Sequence, residues 1–556
     1  MKNRSILVTL LLGLVLIVGL NGLTSSINPR IDLTADGRYT LSETTRDLVD
    51  QIDSPLIIDV LLDGELPPEF ARLKIEVSQF LNQLRSQNSL IKTNYVSPLE
   101  DAENRPALIA ELQSRGLTPA NVSVEEEGKT TQELVFPWAM ANYKNQTVRI
   151  PLLINKLGST TEDRINASVQ ELEYAFADAL TKLTLEEKKR IAIIKGNGQL
   201  DDIYIADLLG ELRNYYNLGV VTLDSVATNA QGTLESLKNF DIAILAKPRL
   251  AFTEEEKFVL DQFIVQGGRT VWLLDGARIE LDSLLNESGS SIALPNELNI
   301  NDLLFRYGVR LNPNLVNDMY CTQIVLASGE GSGSQYNPLR WIYHPMVFPG
   351  NDHPITENIE ALRFLFSSSL DTVESNMQKT VLLKSSPLSK SEGIPKLISL
   401  ELLNSPPDPE SYSGGGMPLA VLLEGTVRSA YANRIAPIKL SGVTDTGPEN
   451  AILVVADGDV IKNQLNEGRP LELGYDKWTN NFYGNKTFLL NAINYMLDEK
   501  GLLTLRSRAV NIPTLDIQKV ADTRSTWQLI NIGLPLLILL GFGLAYKAWR
   551  KRKYGR

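Results

Sequence analysis

A single cysteine, Cys321, stands in a chain of 556 residues. It has no partner for an internal disulfide, and no Cys-rich zinc site can form around it. Histidine is almost as scarce, with only His344 and His353, nine positions apart. A Ser–His–Asp or Cys–His mechanism would have to use one of these two, so most hydrolase chemistry of that kind is disfavoured. No G-K-[ST] phosphate loop occurs, so the chain carries no ATP motif of its own. Basic charge is short where most of the chain lies. Residues 1–23 hold Lys2 and Arg4 and residues 529–556 hold six bases, neither end with any acid; these eight of 54 bases leave 46 against 66 acids between them, a net of −20. Neutralising a phosphate backbone needs a concentrated basic surface, so nucleic acid is not an expected partner.

What is present is ordinary for a globular body, at 22% charged and 7% aromatic residues. At about 100–200 residues per domain the length suggests several domains. Two apolar runs flank the body: Ile6–Leu23 and Leu529–Tyr546, each without a charge. Eighteen residues make a helix of about 27 Å, close to the hydrocarbon thickness of a bilayer. Trp527 and Trp549 flank the second run as interface anchors would. Pro535 and its neighbouring glycines are tolerated in such a helix. The first run is expected to be an uncleaved anchor, because no A-x-A site follows it in Asn21–Pro29. Without a cysteine there, a lipoprotein anchor is excluded. Positive-inside reasoning puts Lys2, Arg4 and the basic tail in the cytoplasm and the body outside it.

The pattern between the runs has two parts. Residues 24–160 read as a thioredoxin-like α/β domain: a strand at Leu56–Gly64, a helix through Phe70–Arg85 with Leu73, Val77, Phe80, Leu81 and Leu84 at helical spacing, then Leu90–Val96, a helix near Arg105–Arg115, and strands at Val122–Glu126, Leu134–Asn142 and Thr147–Ile154. No C-x-x-C is present, so thiol redox chemistry is not expected. One helix over 161–187 reads as a connector. Residues 188–500 alternate strand and helix, with strands at Ile191–Ile194, Val220–Val226, Asp241–Ala246, Thr270–Leu274 and Ala451–Val455. That alternation implies a flavodoxin-like parallel-sheet core. Thr253-Glu254-Glu255-Glu256 matches a capping box, and Gly267-Gly268 ends the helix it opens. A large irregular insertion is expected at about 277–450. A juxtamembrane linker at 501–528, the span at 529–546 and a basic cytoplasmic tail at 547–556 complete the order.

Doubly wound sheets bind ligands beyond the carboxyl ends of their strands. That rule selects Lys195, Asn197, Gln199, Lys247 and Asp275 as a candidate ligand cleft. Lys195–Gln199 resembles half of a dinucleotide fingerprint, but Asp201 stands where the third glycine belongs, and an ordinary β–α turn is the better reading. His344 and His353 fall in a proline-rich stretch read as a structural loop, with Asp352 beside His353. Proline neighbours and a nine-residue gap match no standard metal site. Cys321 reads as a buried inert thiol. The acid groups at Glu125–Glu127, Asp201-Asp202 and Glu254–Glu256 read as solvated turns or helix starts. No catalytic residue, cofactor or metal is assigned.

The segment Arg30–Phe70, with its Asp32-Leu33-Thr34 and Arg38–Ser42 motifs, closely resembles the GldG family, the gliding-motility ABC-transporter auxiliary proteins of Bacteroidetes. Lys188–Asp202, Phe240–Gly276 and Phe482–Glu499 are similar to that family's auxiliary domain. Relatives often carry a histidine and an acid in a G-H-G-E-like first β–α turn, where Asn197 and Gln199 stand here. The resemblance implies partnership with an ABC ATPase subunit and a membrane permease subunit, and a role in gliding motility or the linked protein secretion.

The expected function is therefore a non-enzymatic extracytoplasmic subunit of an ABC-type complex in a bacterial inner membrane, with both termini cytoplasmic and the lipid bilayer as a second partner. An envelope glycan or peptide is its expected ligand class, although no solute pocket is legible in the sequence. The alternatives are an envelope glycan- or peptidoglycan-binding scaffold and an envelope hydrolase.

Overall fold

The computed structural model describes residues 40–100, 105–126, 129–154, 159–184, 187–328, 335–350, 353–404, 407–497 and 517–555. The apolar run Ile6–Leu23 and most of the linker at 501–528 lie outside them. The first sheet has the order β2-β1-β3-β4, with β1 Leu56–Val60, β2 Ile91–Tyr95, β3 Trp138–Tyr143 and β4 Gln146–Pro151. β1 pairs parallel with β2 and antiparallel with β3. The run expected as one strand at Leu134–Asn142 is two, because Phe136-Pro137 separates a hairpin (Ala120–Glu126 with Lys129–Val135) from β3. Proline has no ladder N–H and breaks the pairing there.

Helix Pro68–Gln87 buries Phe70, Leu73, Val77, Phe80, Leu81 and Leu84, the helical-period set expected from the sequence. They share one apolar cluster with Leu48, Ile58, Ile165, Phe176 and Leu180. At about 1.5–3 kcal/mol per fully buried large apolar side chain, that cluster drives this part of the fold. The segment expected as one connecting helix forms two, Thr161–Gln170 and Leu172–Thr184. Besides joining this cluster, the second reaches the next body. Asp178 accepts from Tyr215 Oη at 2.9 Å, and Lys182 sits 4.3 Å from the Tyr215 ring centroid.

The second body is built on a seven-stranded sheet. Its strands are β5 Arg190–Lys195, β6 Asn217–Thr222, β7 Ile242–Ala246, β8 Arg269–Leu273, β9 Gln378–Lys384, β10 Pro418–Arg428 and β11 Thr446–Val455, in the order β9-β10-β11-β8-β7-β5-β6. β6, β5, β7, β8 and β11 are mutually parallel; β10 pairs antiparallel with β11, and β9 antiparallel with β10, so β10 alone is reversed. Alternation along each strand feeds opposite faces. Ile191, Ile193, Ile244, Val271 and Leu453 face a cluster with Leu208, Leu212, Phe488 and Ile493 of helices Ala206–Tyr215 and Asn485–Leu497. Ala192, Ile194, Leu245, Trp272 and Val454 face the other, with Leu234, Leu237, Leu260 and Phe263 of helices Val226–Leu237 and Glu254–Val265. Helices thus cover both faces, which is why these strands read as continuous apolar runs.

The capping box before Glu254–Val265 forms as expected, with Thr253 and Glu256 exchanging both hydrogen bonds. The stretch 277–450 is not wholly separate from the core, since β9 and β10 come from it. Helix Ile517–Tyr554 is a unit by itself and contains a span, Thr523–Tyr554, long and apolar enough to cross a membrane. It is the one such helix among the described residues.

Candidate functional site

The carboxyl ends of β7, β8 and β11 converge on a cluster of ionised groups. Lys247, one residue past β7, adopts φ 53°, a left-handed conformation uncommon for a residue with a side chain. Its Nζ lies 2.5 Å from Asp459, 3.4 Å from Asp275 and 3.6 Å from Glu280. Gly458 lets the lysine stem pass, because a Cβ there would stand 2.5 Å from Lys247 Cγ. Asp275 Oδ1 accepts from Gly458 N at 2.6 Å, and Asp457 accepts from the main-chain N–H groups of Asp459 and Leu365.

Electrostatics separate these groups. Burial alone disfavours the Lys247 ammonium, but the carboxylates of Asp275, Asp459 and Glu280 outweigh it and hold its pKa above the ordinary lysine value. Asp459 is likewise disfavoured by burial, yet Lys247 and Lys462 hold it below the usual carboxylate range. Asp457, buried beside Asp459 and Asp275, is pushed well above that range. Ligand atoms of Asp275, Asp457 and Asp459 lie within 4.8 Å of one another, as a cation site requires. The Lys247 ammonium already supplies the positive charge at that point. The cluster is a closed ion lock across three strand ends.

Beside the lock opens a cleft of ≈ 750 Å³, lined by Gln199 after β5, Arg249 after β7, Asp459 and Lys462 after β11, and His344, Arg363 and Trp478 from flanking segments. Its position beyond the carboxyl edge is where open α/β sheets place ligands. Of the residues selected from the sequence, Gln199 lines this cleft. Lys195 pairs with Asp202 at 2.8 Å and donates to Leu200 O. Asn197 is buried and donates to Glu256 Oε2 at 3.0 Å. That contact also buries Glu256, expected as a solvated helix start. Lys247 and Asp275 belong to the lock. Gly196 (φ 116°) and Gly198 (φ 68°) let the first turn fold back, as its β–α reading requires.

The groups sequence reasoning passed over are Asp457, Asp459, Glu280, Lys462, Arg363 and His344. The Asp457-Gly458-Asp459 run at the end of a buried strand was the available signal. His344 does not sit in a loop: it lies on strand Gln335–Val347, 1% exposed, between Tyr343 and Pro345, which are also buried. Neither of its ring nitrogens has a hydrogen-bond partner among the described residues, and the same holds for Arg363 Nε. Burial, aided by the Arg363 charge, pushes the His344 pKa well below the ordinary value, so the ring is neutral. His353 is half-buried, its Nδ1 accepting from Ile355 N at 3.2 Å, and Asp352 lies outside the described residues. Cys321 is buried, and burial raises its thiol pKa. Trp527 and Trp549 are both exposed on the terminal helix.

A family model described as "ABC-type uncharacterized transport system" matches residues 188–492, from two residues before β5 into the last core helix. Every residue lining the cleft falls inside that range. A domain of unknown function (DUF7088) matches residues 35–142. Among solved structures, one described as "mmIFT52 N-terminal domain" is similar at 13% identity and a TM-score of 0.33, covering 56% of this chain and 97% of that one. No curated protein matches this chain.

Proposed function

The chain belongs to the auxiliary family of ABC-type transport systems, and from that premise we propose that it is a non-enzymatic accessory subunit held at a membrane by helix Ile517–Tyr554. The observation that carries this reading is the span Thr523–Tyr554, with mean hydropathy 2.1 and none of its most apolar window buried. An apolar surface of that length needs lipid or another protein to cover it. A chain without a phosphate loop takes its energy from a partner, and we assign that role to an ABC ATPase subunit working with a membrane permease subunit. We read the cleft as a binding site; His344 makes no hydrogen bond among the described residues.

The finer reading follows the sequence. We place the chain in a bacterial inner membrane, with Ile6–Leu23 as a second span, both termini cytoplasmic and the body outside. We take it as GldG-like, serving gliding motility or the protein secretion linked to it. We read its body as a thioredoxin-like part without thiols and a flavodoxin-like part, divided near residue 160, with 161–187 between them. Purification of the tagged full-length chain from native membranes in mild detergent tests the central claim. An ATPase and a permease co-eluting in fixed ratio, with ATP turnover altered when this chain is removed, are expected. Elution alone, with no ATPase activity in the preparation, would refute it.

A further inference from the structure

Both His344 ring nitrogens and Arg363 Nε are buried and make no hydrogen bond among the described residues. Both residues line the one cleft. Buried polar atoms are nearly always paired, and leaving one unmade costs about 1–3 kcal/mol. Such a concentration of unmade bonds at one wall marks a place where another molecule completes them.

We infer that the cleft binds a neutral, polyhydroxylated ligand of the saccharide class, an assignment that rests on reading the cleft as the accessory subunit's recognition surface. Charge decides against an anionic ligand: the cations in the lining are already engaged, and the carboxylates of Asp201 and Asp282 line the same cleft. Arg363 pairs with Asp476 at 3.3 Å, Lys462 with Asp459 at 3.5 Å, Arg249 with Glu280, and Lys247 with Asp459. An anion entering here would have to compete with pairs already made. What the His344–Arg363 wall offers is bonding capacity without a free cation: a donor at Arg363 Nε, and one donor and one acceptor on the neutral His344 ring. A hydroxyl donates and accepts at one oxygen, so neighbouring hydroxyls satisfy this mixed set. The Gln323 amide lines the same cleft and adds one more group that both donates and accepts. Tyr204 and Trp478 give the lining the apolar area that the C–H faces of a sugar ring cover. Trp478 has the Tyr336 ring 6.1 Å away and Lys477 Nζ 4.9 Å from its centroid, yet 56% of its surface is open. A peptide added as an extra strand is disfavoured, because that mode needs a free strand edge, whereas the open groups here are side chains at strand ends. The volume suits a small ligand, since such sites run to roughly 300–1,000 Å³.

The test uses the full-length chain in a detergent without a sugar headgroup. Cellobiose and N,N′-diacetylchitobiose are the neutral probes, inorganic phosphate and glucose 6-phosphate the anionic ones, and tryptophan fluorescence and saturation-transfer NMR the readouts. Saturable binding of at least one neutral disaccharide, tighter than either anion, is expected. Trp478→Ala should weaken it about tenfold, and Gln323→Leu about fivefold, the loss of one hydrogen bond. Both sites are partly exposed, so unchanged melting curves check that the variants fold. No saturable disaccharide binding, tighter binding of an anion, or binding undiminished in both variants overturns the assignment. Co-elution with an ATPase is followed separately. If it persists while saccharide binding fails, the ligand class falls and the accessory-subunit reading stands; if it fails in the unaltered chain, that reading falls on its own.

Discussion

The ion lock and the cleft wall share Asp459 and the same sheet edge, yet they solve the burial of polar groups in opposite ways. In the lock, Lys247 is 2% exposed and meets three carboxylates, so its charge is compensated inside the protein. In the wall, His344 is equally buried and compensated by nothing among the described residues. Burying a polar group costs free energy unless it is paired. A fully paired cluster therefore belongs to the fold, and an unpaired one next to an opening belongs to what enters.

Removing the lock's centre should break the contrast most strongly. Lys247→Met leaves Asp459 and Asp275 buried without their cation, and a stability loss of about 3–5 kcal/mol is expected in urea unfolding of the full chain. A loss under about 1 kcal/mol would mean the lock is solvated and the comparison is misdrawn. Gly458→Ala drives a methyl against the lysine stem and should cost about 1–3 kcal/mol, with ligand binding altered because Asp459 shifts.

The wall should answer to pH in the opposite sense to the lock, where Asp457, raised by burial, favours the folded state as pH falls. The folded His344 pKa is depressed, so the unfolded chain binds the extra proton first as pH falls through the ordinary value of 6.5. The stability contribution is complete above that pH and declines below it, by at most about 1.4 kcal/mol per unit. Melting between pH 7 and 5 should show this slope in the unaltered protein and a shallower one in His344→Leu, which at neutral pH also removes two unpaired atoms and should not destabilise. An identical slope in both would assign the effect elsewhere. The smallest expected effect is that of Trp478→Ala, within about 0.5 kcal/mol of the parent in stability, since the ring is mostly open.

Much of the architecture was legible because it rests on local rules. The helical spacing of Leu73, Val77, Leu81 and Leu84, the Thr253–Glu256 box and the apolar runs of β5, β7, β8 and β11 are short-range patterns with one structural solution. The limits of that reading were also physical. β9 and β10 lie in a stretch read as an insertion, and nothing in a single strand states which sheet edge it will join. His344 was assigned to a loop because prolines surround it, although Pro345 still pairs opposite Cys321, next to a register shift between Cys321 and Gln323.

For the site, the rule about strand ends led to the right edge of the sheet and selected Gln199, Lys247 and Asp275. Whether each closes the fold or faces the opening was settled elsewhere, by partners 31 to 212 positions distant, such as Glu280 for Arg249 and Asp459 for Lys247. Composition alone determined the missing phosphate loop, the missing disulfide and the long apolar run near the basic tail, since each is a property of contiguous or counted residues. Which charges are matched and which polar atoms are left open depends on distances of a few ångströms between remote segments, and only the packed tertiary structure sets those.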